Sequence, residues 1–103
     1  MSMVFQLEKL AHAYLRHGGK DNRRQQFGRM VKFIIFAESM GARNLHQIGS
    51  RHVIHYWKAN RQLSDVTVYN HWRALCQLWV LAGKVGQPPE PLYKTRDAKL
   101  HPE

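Results

Sequence analysis

Apolar residues along this chain recur at three- and four-residue spacing, and glycines interrupt the pattern where the periodic segments end. The first segment covers residues 3–16 and is followed by Gly18 and Gly19; the second is followed by Gly41, and the last by Gly83. This period indicates amphipathic helices, and glycine is a common residue just beyond a helix C-terminus. Since the alternation typical of strands is almost absent, the sequence predicts an all-α fold of four helices.

Each predicted helix has one apolar side, and these sides should meet in a single core. A chain of 103 residues buries roughly two thirds of its unfolded surface, which is enough for one domain. Leu45 and Ile48 should anchor the connection between the second and third helices. The apolar sides are Leu7, Leu10, Ala11 and Tyr14 in the first helix, Phe27, Met30, Val31, Ile34 and Ala37 with Glu38 in the second, Val53, Ile54 and Trp57 in the third, and Val68, Trp72, Leu75, Cys76 and Trp79 in the fourth.

Short polar side chains mark where three of the helices should begin. Their oxygen atoms can accept hydrogen bonds from backbone N–H groups that have no partner inside the helix. The candidate caps are Asp21 or Asn22 for the second helix, which should reach about Met40, Ser50 for the third, which should run to about Arg61, and Ser64 or Asp65 for the fourth.

The segment after the fourth helix differs in composition from the rest of the chain. From residue 86 onward it reads GQPPEPLYKTRDAKLHPE, with all four prolines of the chain and few apolar residues. Proline interrupts helices and is typical of extended linkers. The sequence therefore predicts a helical domain over residues 1–84 and an extended, proline-rich linker or tail over residues 85–103.

The chain is strongly basic, with 16 lysines and arginines against 7 acidic residues and a formal net charge of +9. Such an excess attracts polyanions, because each phosphate that a cation neutralises releases condensed counterions. Nucleic acid is therefore the favoured partner, and a basic surface that is merely solvated is the alternative. An anionic membrane is less favoured, because the basic residues are spread over several segments.

Two features bear on the setting in which the chain works. The single cysteine, Cys76, cannot form an internal disulfide, and no secretory signal segment is recognisable. The longest apolar run, from Phe33 to Ala37, is far too short to span a bilayer. We therefore expect a soluble, cytoplasmic protein without a membrane partner.

The predicted fourth helix has a polar side opposite its core side. At about 100° per residue, Asn70 and Gln77 lie on that side, flanked by Thr67, Arg73 and Ala74. A helix with this side chain set fits the major groove of DNA, where Asn and Gln can pair with adenine and Arg with guanine or phosphate. The alternative is an ordinary solvated helix face.

The second helix carries a similar surface, and the third is also cationic outside. The middle of the second helix, around Phe33, Ile35 and Phe36, is apolar on nearly all sides, which indicates either core burial or an exposed patch for a partner. A second basic face favours a nucleic-acid surface over an ordinary solvated one. The polar residues are Gln25, Arg29 and Lys32 with Gly28 between them, and Arg23 and Arg24 near the start, on the second helix, and Arg51, His52, His55, Lys58 and Gln62 on the third.

Residues for metal binding or catalysis form no recognisable set. His52 and His55 are three residues apart, with His46 nearby, but no cysteine pair or carboxylate completes a ligand set. Cys76 falls on the predicted core side, and the few acids do not pair as an acid and a base would. The sequence therefore predicts a binding protein without catalytic residues, metal or cofactor.

Three stretches together resemble the N-terminal core-binding, SAM-like domain of phage-type integrases, the tyrosine recombinases. They are LEKLAHAYLRHGG, QFGRMVKFIIFAESMGARNLHQI and RHVIHYWKANRQLSDVTVYNHWRALCQLWVLAGK, and the likeness extends over residues 5 to 84. The likeness includes the long helix that ends in Gly41, the helix that closes with Tyr56, and Thr67 and Asn70 leading into Leu75. The resemblance implies a compact bundle of four helices in crossed hairpins, with the second and fourth helices against the major groove of duplex DNA.

The resemblance also implies what would lie elsewhere. In that family a separate C-terminal domain supplies two arginines, a lysine, an HxxR box and a tyrosine nucleophile, and a linker like residues 84–103 joins the two domains around the DNA. This chain has no histidine followed three positions later by arginine. It would therefore be a fragment that works with a catalytic integrase domain in cis, or a small free-standing relative, in the bacterial cytoplasm and on the nucleoid when bound to DNA.

Two other functions fit the same composition. A monomeric helical bundle of this kind could be a protein-interaction module, such as an accessory factor of a mobile element, that docks a partner helix on the patch from Phe33 to Phe36. A helix-turn-helix repressor is a weaker fit, because the turn near residues 62–65 suits it but the first three helices are too long. The residues predicted to contact DNA are Gln25, Arg29, Lys32, Thr67, Asn70, Arg73 and Gln77.

Overall fold

The computed structural model describes residues 2–16 and 19–93, with Lys20 by its backbone alone, and this part of the chain contains α-helix and no strand. The predicted all-α fold of four helices is confirmed. A single turn of 3-10 helix, Leu45–Gln47, connects the second and third helices. The helices are α1 (Met3–Arg16), α2 (Lys20–Ser39), α3 (Ser50–Ala59) and α4 (Asp65–Leu81).

Two of the glycines predicted to end helices, Gly41 and Gly83, do so in the left-handed conformation that favours glycine. Gly19, with φ of -49°, precedes α2, and Gly18 lies outside the described residues. Gly41, with φ of 102°, follows α2, and Gly83, with φ of 69°, follows α4. Beyond each glycine the next backbone N–H turns back to the helix: Ala42 donates to the Ala37 carbonyl at 3.1 Å, and Lys84 to the Trp79 carbonyl at 2.9 Å. These bonds satisfy carbonyls that the helix itself leaves unpaired.

One of the three predicted N-caps is confirmed and two are wrong. Ser64 caps α4 by accepting a hydrogen bond from the backbone N–H of Thr67 at 3.2 Å. Gly19 precedes α2, so Asp21 and Asn22 lie inside its first turn, where the Asp21 carboxylate suits the positive end of the helix dipole.

The start and the end of α3 also differ from the prediction. Gly49 and not Ser50 precedes the helix, because the ring Nδ1 of His52 accepts a hydrogen bond from the Gly49 backbone N–H at 3.1 Å. A side chain at this position that bonds back to the preceding backbone is half of a capping box. The helix ends at Ala59, two residues before the predicted Arg61, and Asn60 follows with its side chain donating to the Tyr56 carbonyl.

The core lies between α2 and the other three helices, and most of the predicted apolar residues are in it. Leu45 and Ile48 are buried and anchor the connection between α2 and α3 as predicted. The ring of Tyr56 packs at the centre, with its centroid 5.2 Å from that of Phe33 and 5.9 Å from that of His71. The residues with no exposed surface are Met3, Leu7, Ala11, Met30, Phe33, Ile34, Ala37, Val53, Ala74 and Leu75.

Several residues face differently from the prediction because neighbouring elements decide which side of a helix is covered. Leu10 and Ile54 were expected in the core, but each is 44% exposed. Trp72 and Cys76 are only half-buried. The core side of α4 instead includes His71, Ala74 and Leu78, since α4 packs mainly on α2.

Three further residues lie on a different side of their helix from the one predicted, for the same reason. Ala74 was placed beside the polar side of α4, but it is fully buried. His52 was expected to face outward from α3, but it is 6% exposed, with its ring held by Gly49. Glu38 is exposed at the end of α2, where its Oε2 accepts a hydrogen bond from the backbone N–H of Met3 at 3.4 Å.

After α4 the chain turns twice and runs back along the bundle without further helix as far as Tyr93. The turns use Gly83 and Gly86, both with positive φ. Pro88 and Pro91 are buried against the helices. Residues 94–103 of the predicted tail lie outside the described part of the chain. No helix in the described ranges combines the length and the apolar composition that crossing a membrane requires.

Candidate nucleic-acid interface

A polar groove runs along the surface where α2 and α4 lie side by side. It consists of two adjoining clefts, each of about 330 Å³. Asn22, Gln26 and Arg73 line both clefts, so the two form one continuous surface, which we call the α2–α4 groove. Its lining is Asn22, Gln25, Gln26, Arg29, Asn70 and Arg73 in the first cleft, and Tyr14, Gly19, Asn22, Arg23, Gln26, Arg73 and Gln77 in the second.

Helix periodicity explains how the two walls of the groove form. Residues three, four and seven apart project from the same side of a helix. Asn22, Gln26 and Arg29 follow this spacing on α2, and Asn70, Arg73 and Gln77 follow it on α4. The buried residues of both helices face the core, so packing α2 against α4 leaves these two polar rows next to each other.

Two arginines on α2 are held in place by neighbours. The Nη1 of Arg29 donates a hydrogen bond to the side-chain oxygen of Gln26 at 2.7 Å, which uses one of five guanidinium N–H donors. The Nη1 of Arg23 donates to the backbone carbonyl of Tyr14 at 3.0 Å, and its guanidinium lies 4.6 Å from the centre of the Tyr14 ring. Arg23 therefore joins α2 to α1, while Arg29 is oriented within the groove.

The groove is a cationic environment. Its lining includes Arg23, Arg29 and Arg73, and none of its described lining residues is acidic. Its field reaches inward to His71, a buried residue of α4. Burial, followed by the charges of Arg29 and Lys32, lowers the pKa of His71 to about 4. The imidazole is therefore neutral near pH 7.

His71 connects the groove to the centre of the bundle. Its Nδ1 is 3.1 Å from the hydroxyl oxygen of Tyr56, and both residues are buried. Burial raises the pKa of Tyr56 to about 12, so the phenol keeps its proton. A neutral hydrogen-bonded pair thus lies beneath the cations of α2 and costs less to bury than a charged group would.

The structure brings five of the seven predicted DNA-contacting residues into the α2–α4 groove. Gln25, Arg29, Asn70 and Arg73 line the first cleft, and Gln77 lines the second with Arg73.

The other two predicted contacts lie beyond the lining. Lys32 is exposed on α2, three residues after Arg29, close enough to lower the pKa of His71. The hydroxyl oxygen of Thr67 is 2.9 Å from that of Ser64, so it belongs to the cap of α4.

Two residues that line both clefts, Asn22 and Gln26, were not among the predicted contacts. Asn22 was interpreted as a possible helix cap, and Gln26 was not considered. The signal was present in the spacing, because Asn22 and Gln26 precede Arg29 by seven and three residues and so share its side of α2.

The histidines of α3 do not form a common site. His55 is exposed, whereas His52 is buried and bonded to Gly49. Burial, followed by the charge of Arg51, lowers the pKa of His52. Among the residues that the structure describes, no group of three or more histidine, cysteine or acidic side chains is placed to hold a metal ion.

Comparisons of the chain with models of protein families, with curated proteins and with solved structures found no match. The chemistry of the α2–α4 groove can be stated from its own side chains. Guanidinium groups bind phosphate through several N–H donors, and amide groups both donate and accept, as the edges of bases require.

Proposed function

We propose that this chain is a duplex-DNA-binding module that docks α2 and α4 on DNA. The observation that supports it best is the gathering of Arg29 and Arg73 with the amides of Gln25 and Asn70 in one groove, although they come from two helices. Single polar faces are common on helices. Here two polar helix faces meet, and their described lining contains no acidic residue. Such a surface suits a phosphate backbone.

The side chains of the interface divide into two roles. Arg73 and Lys32 are exposed and Arg29 is half-buried, so these cations suit phosphates at the edges of a DNA groove. Asn70 and Gln77 are half-buried and line the same groove. Their amides suit base edges, which they would reach only with α4 lying in the major groove.

The resemblance to the core-binding domain of phage-type integrases supports a more specific proposal. In such a protein this bundle holds one side of the crossover site, and the strand-exchange residues belong to a separate catalytic domain. We therefore propose a non-enzymatic, monomeric DNA-binding part of a site-specific recombination system, or a free-standing relative of it. Its cellular setting would be the bacterial cytoplasm, with the nucleoid as its place of action.

The competing function, a protein-interaction module, loses much of the surface on which it depended. Phe33 and Ile34 have no exposed surface, and Phe36 is half-buried against the core. Only Ile35 in this stretch is open, at 55% exposure. A single exposed isoleucine is ordinary on a soluble protein, so the structure favours no partner helix at this place.

The test is a titration of the chain with a fluorescent random-sequence duplex at low and at physiological salt. We expect weak binding that falls steeply with salt, since phosphate contacts release counterions. Replacing Arg29 and Arg73 together by alanine should lower the slope of log K against log salt by about 1.8, at roughly 0.9 per phosphate contact. The matched control removes two exposed arginines elsewhere, Arg51 and Arg61, and should change the slope less.

Chemical-shift mapping on the same duplex identifies the docking surface directly. We expect the largest shifts at the α2–α4 groove and its neighbour Lys32, with smaller shifts at buried residues such as Leu75. Shifts centred on α1, or on α3 near His55, would show that DNA binds elsewhere. An absence of binding even at low salt would contradict the proposed function.

A further inference from the structure

A proline-rich segment of the chain is bound on the side of α4 away from the α2–α4 groove. Trp72 lies about 200° around the helix from Asn70. Its indole N–H donates a hydrogen bond to the carbonyl of Pro88 at 3.0 Å. The indole N–H of Trp57, on α3, donates to the carbonyl of Pro89 at 2.9 Å. Two tryptophans on different helices thus hold two consecutive carbonyls, and we call residues 88–93 the arm.

The prolines of the arm follow the period of a polyproline II helix. Pro88 and Pro91 are buried, Pro89 is half-buried and Glu90 is exposed. A polyproline II helix has three residues per turn, so residues i and i+3 lie on the same side. Pro88 and Pro91 therefore face the bundle together, in the Pro-x-x-Pro pattern that aromatic grooves bind in other recognition domains.

The bundle surface under the arm is rich in aromatic rings. Other rings back each tryptophan: the Tyr56 ring lies 5.5 Å from Trp57, and the Tyr69 ring lies 5.9 Å from Trp72. A mainly apolar cleft of about 690 Å³ lies between the bundle and the arm: Ile54, Leu63 and Val68 belong to its lining on the bundle side, and residues 89–93 line it on the arm side. We call this surface, with its two indoles, the Trp57–Trp72 surface.

We propose that the Trp57–Trp72 surface is a polyproline-recognition site for Pro-x-x-Pro segments, and that its resident ligand is this chain's own Pro88–Pro91. The recognition is of the main chain, since both indole donors bind carbonyls, and two prolines are buried against the bundle. Proline has no backbone N–H and a fixed φ, so binding such a segment restricts few rotatable bonds and leaves few backbone donors in need of a partner.

The attachment of the arm suits a latch that can open. The connection to α4 is exposed: Val85 is 98% exposed, and Gly86 and Gln87 are exposed beside it. Leu92, just past the second proline, is 95% exposed. The arm is held by the two indole hydrogen bonds, by two buried prolines and by Tyr93, which is half-buried with its hydroxyl oxygen enclosed. A tether this short keeps the arm at a high effective concentration, so a free segment competes only when abundant.

The test follows the indole N–H signals of a nitrogen-15-labelled full chain, in which Trp79 serves as an internal control for Trp57 and Trp72. Replacing Pro88 and Pro91 together by alanine should open the latch. We expect solvent exchange of the Trp57 and Trp72 indole protons to rise about tenfold, the factor that corresponds to about 1.4 kcal/mol, while that of Trp79 does not change. The matched control, Leu92→Ala, alters an exposed arm residue and should leave all three signals as they are.

The synthetic peptide GQPPEPLY, which is residues 86–93, is then added to the opened variant at millimolar concentration. We expect the Trp57 and Trp72 signals to return to their original positions. A control peptide, in which alanine replaces Pro88 and Pro91 and the other residues are unchanged, should not restore the two indole signals. If both peptides act alike, or neither moves the signals, the surface recognises no Pro-x-x-Pro segment and the proposal is overturned.

A second experiment covers the case in which the double variant does not fold. A protease site placed in the exposed stretch 85–87 allows the arm to be cut from the wild-type bundle after folding. We expect the cut arm to leave on dilution, with exposure of both indoles, and fresh GQPPEPLY to replace it. A cut arm that never leaves, or that no peptide replaces, would show that residues 88–91 are a fixed part of the core and would overturn the proposal.

Discussion

Helix α4 separates two surfaces of opposite chemistry. The α2–α4 groove is lined by amides and arginines and has no cover within the described part of the chain. The Trp57–Trp72 surface is aromatic and apolar, and the chain's own arm covers it. The difference follows from solvation. A cationic groove is well solvated in water, and a polyanion binds it by displacing its counterions. An apolar surface is poorly solvated, so a segment that covers it stabilises the folded chain.

One helix of 17 residues therefore has three sides with different tasks. His71, Ala74 and Leu78 face the core, Asn70 and Arg73 face the groove, and Trp72 faces the arm. We therefore expect substitutions on the groove side of α4 to leave the arm unchanged, and substitutions on the arm side to leave DNA binding unchanged. Substitutions on the core side should affect both.

The largest effect should come from the side of α4 that supports both surfaces. Trp79 is 5% exposed, and Trp79→Ala should lower the free energy of unfolding by about 3–5 kcal/mol, as large truncations in a core do. Urea unfolding followed by circular dichroism measures it. Trp72, which is only half-buried, should cost less when truncated.

The control for Trp79 is its neighbour Val80, which is 71% exposed. Val80→Ala should change stability by no more than about 0.5 kcal/mol, as surface substitutions do. A similar loss for both variants would mean that the described orientation of α4 is wrong, and the separation into three sides would fail with it.

Acid should distinguish the two surfaces, because a histidine lies beneath the groove while the indoles under the arm do not titrate. The pKa of His71 is about 4 in the folded chain, against about 6.5 when unfolded. Between these values the unfolded state binds a proton that the folded state does not, so stability should fall as pH falls from 6.5 to 4. We expect a loss of about 2 kcal/mol, allowing for partial solvation.

The variant that tests this is His71→Gln, which keeps a side chain able to bond the Tyr56 hydroxyl. Its stability should depend less on pH over this window than that of the wild type, measured by urea unfolding at several pH values. The lowered pKa of His52 contributes to the same window in both proteins and cancels in the difference. If the stability of the wild type and of His71→Gln depends equally on pH, His71 is not the source of the loss in acid.

The arm side should respond to a change that leaves the groove intact. Trp72→Phe removes the indole donor to the Pro88 carbonyl, and a hydrogen bond of this kind contributes about 0.5–1.5 kcal/mol. We expect a loss of about 1 kcal/mol in stability and faster proteolysis within residues 85–93. Affinity for duplex DNA should stay the same. A loss of DNA affinity in this variant would show that the two sides of α4 are coupled.

Local chemistry explains which features could be predicted from the sequence. Gly41 and Gly83 end helices because of their own backbone freedom, and Ser64 caps α4 because its hydroxyl reaches a backbone N–H three residues on. The side of a helix that becomes buried depends on its neighbours. Ala74 is compatible with either side, so its burial against α2 could not be read from periodicity.

The two surfaces differ in the same way. Periodicity placed Arg29 on the polar side of α2 and Arg73 on that of α4, but the meeting of these sides was implied only by the family resemblance. The contact between Trp72 and Pro88 joins residues 16 apart, and no spacing rule connects an indole with a proline carbonyl. The arm was therefore predicted as a linker or tail, without a binding surface.

The smallest effect should be a change on the groove side alone. Arg73 is exposed and lines both clefts of the groove, so Arg73→Gln should remove one phosphate contact and little packing. We expect binding to random duplex to weaken about fivefold at moderate salt, close to 1 kcal/mol. The slope of log K against log salt should fall by roughly 0.9. Stability and arm protection should not change, which completes the contrast with Trp72→Phe.

The control for this variant has to separate position from charge, because a chain with a net charge of +9 attracts DNA from every side. Arg51→Gln makes the same chemical change at an exposed position on α3. If DNA docks in the α2–α4 groove, Arg51 lies outside the contact, and its removal acts only through long-range attraction that salt screens over about 10 Å. Its slope should then stay near that of the wild type. Equal losses for Arg51→Gln and Arg73→Gln would mean that binding follows net charge and not the groove.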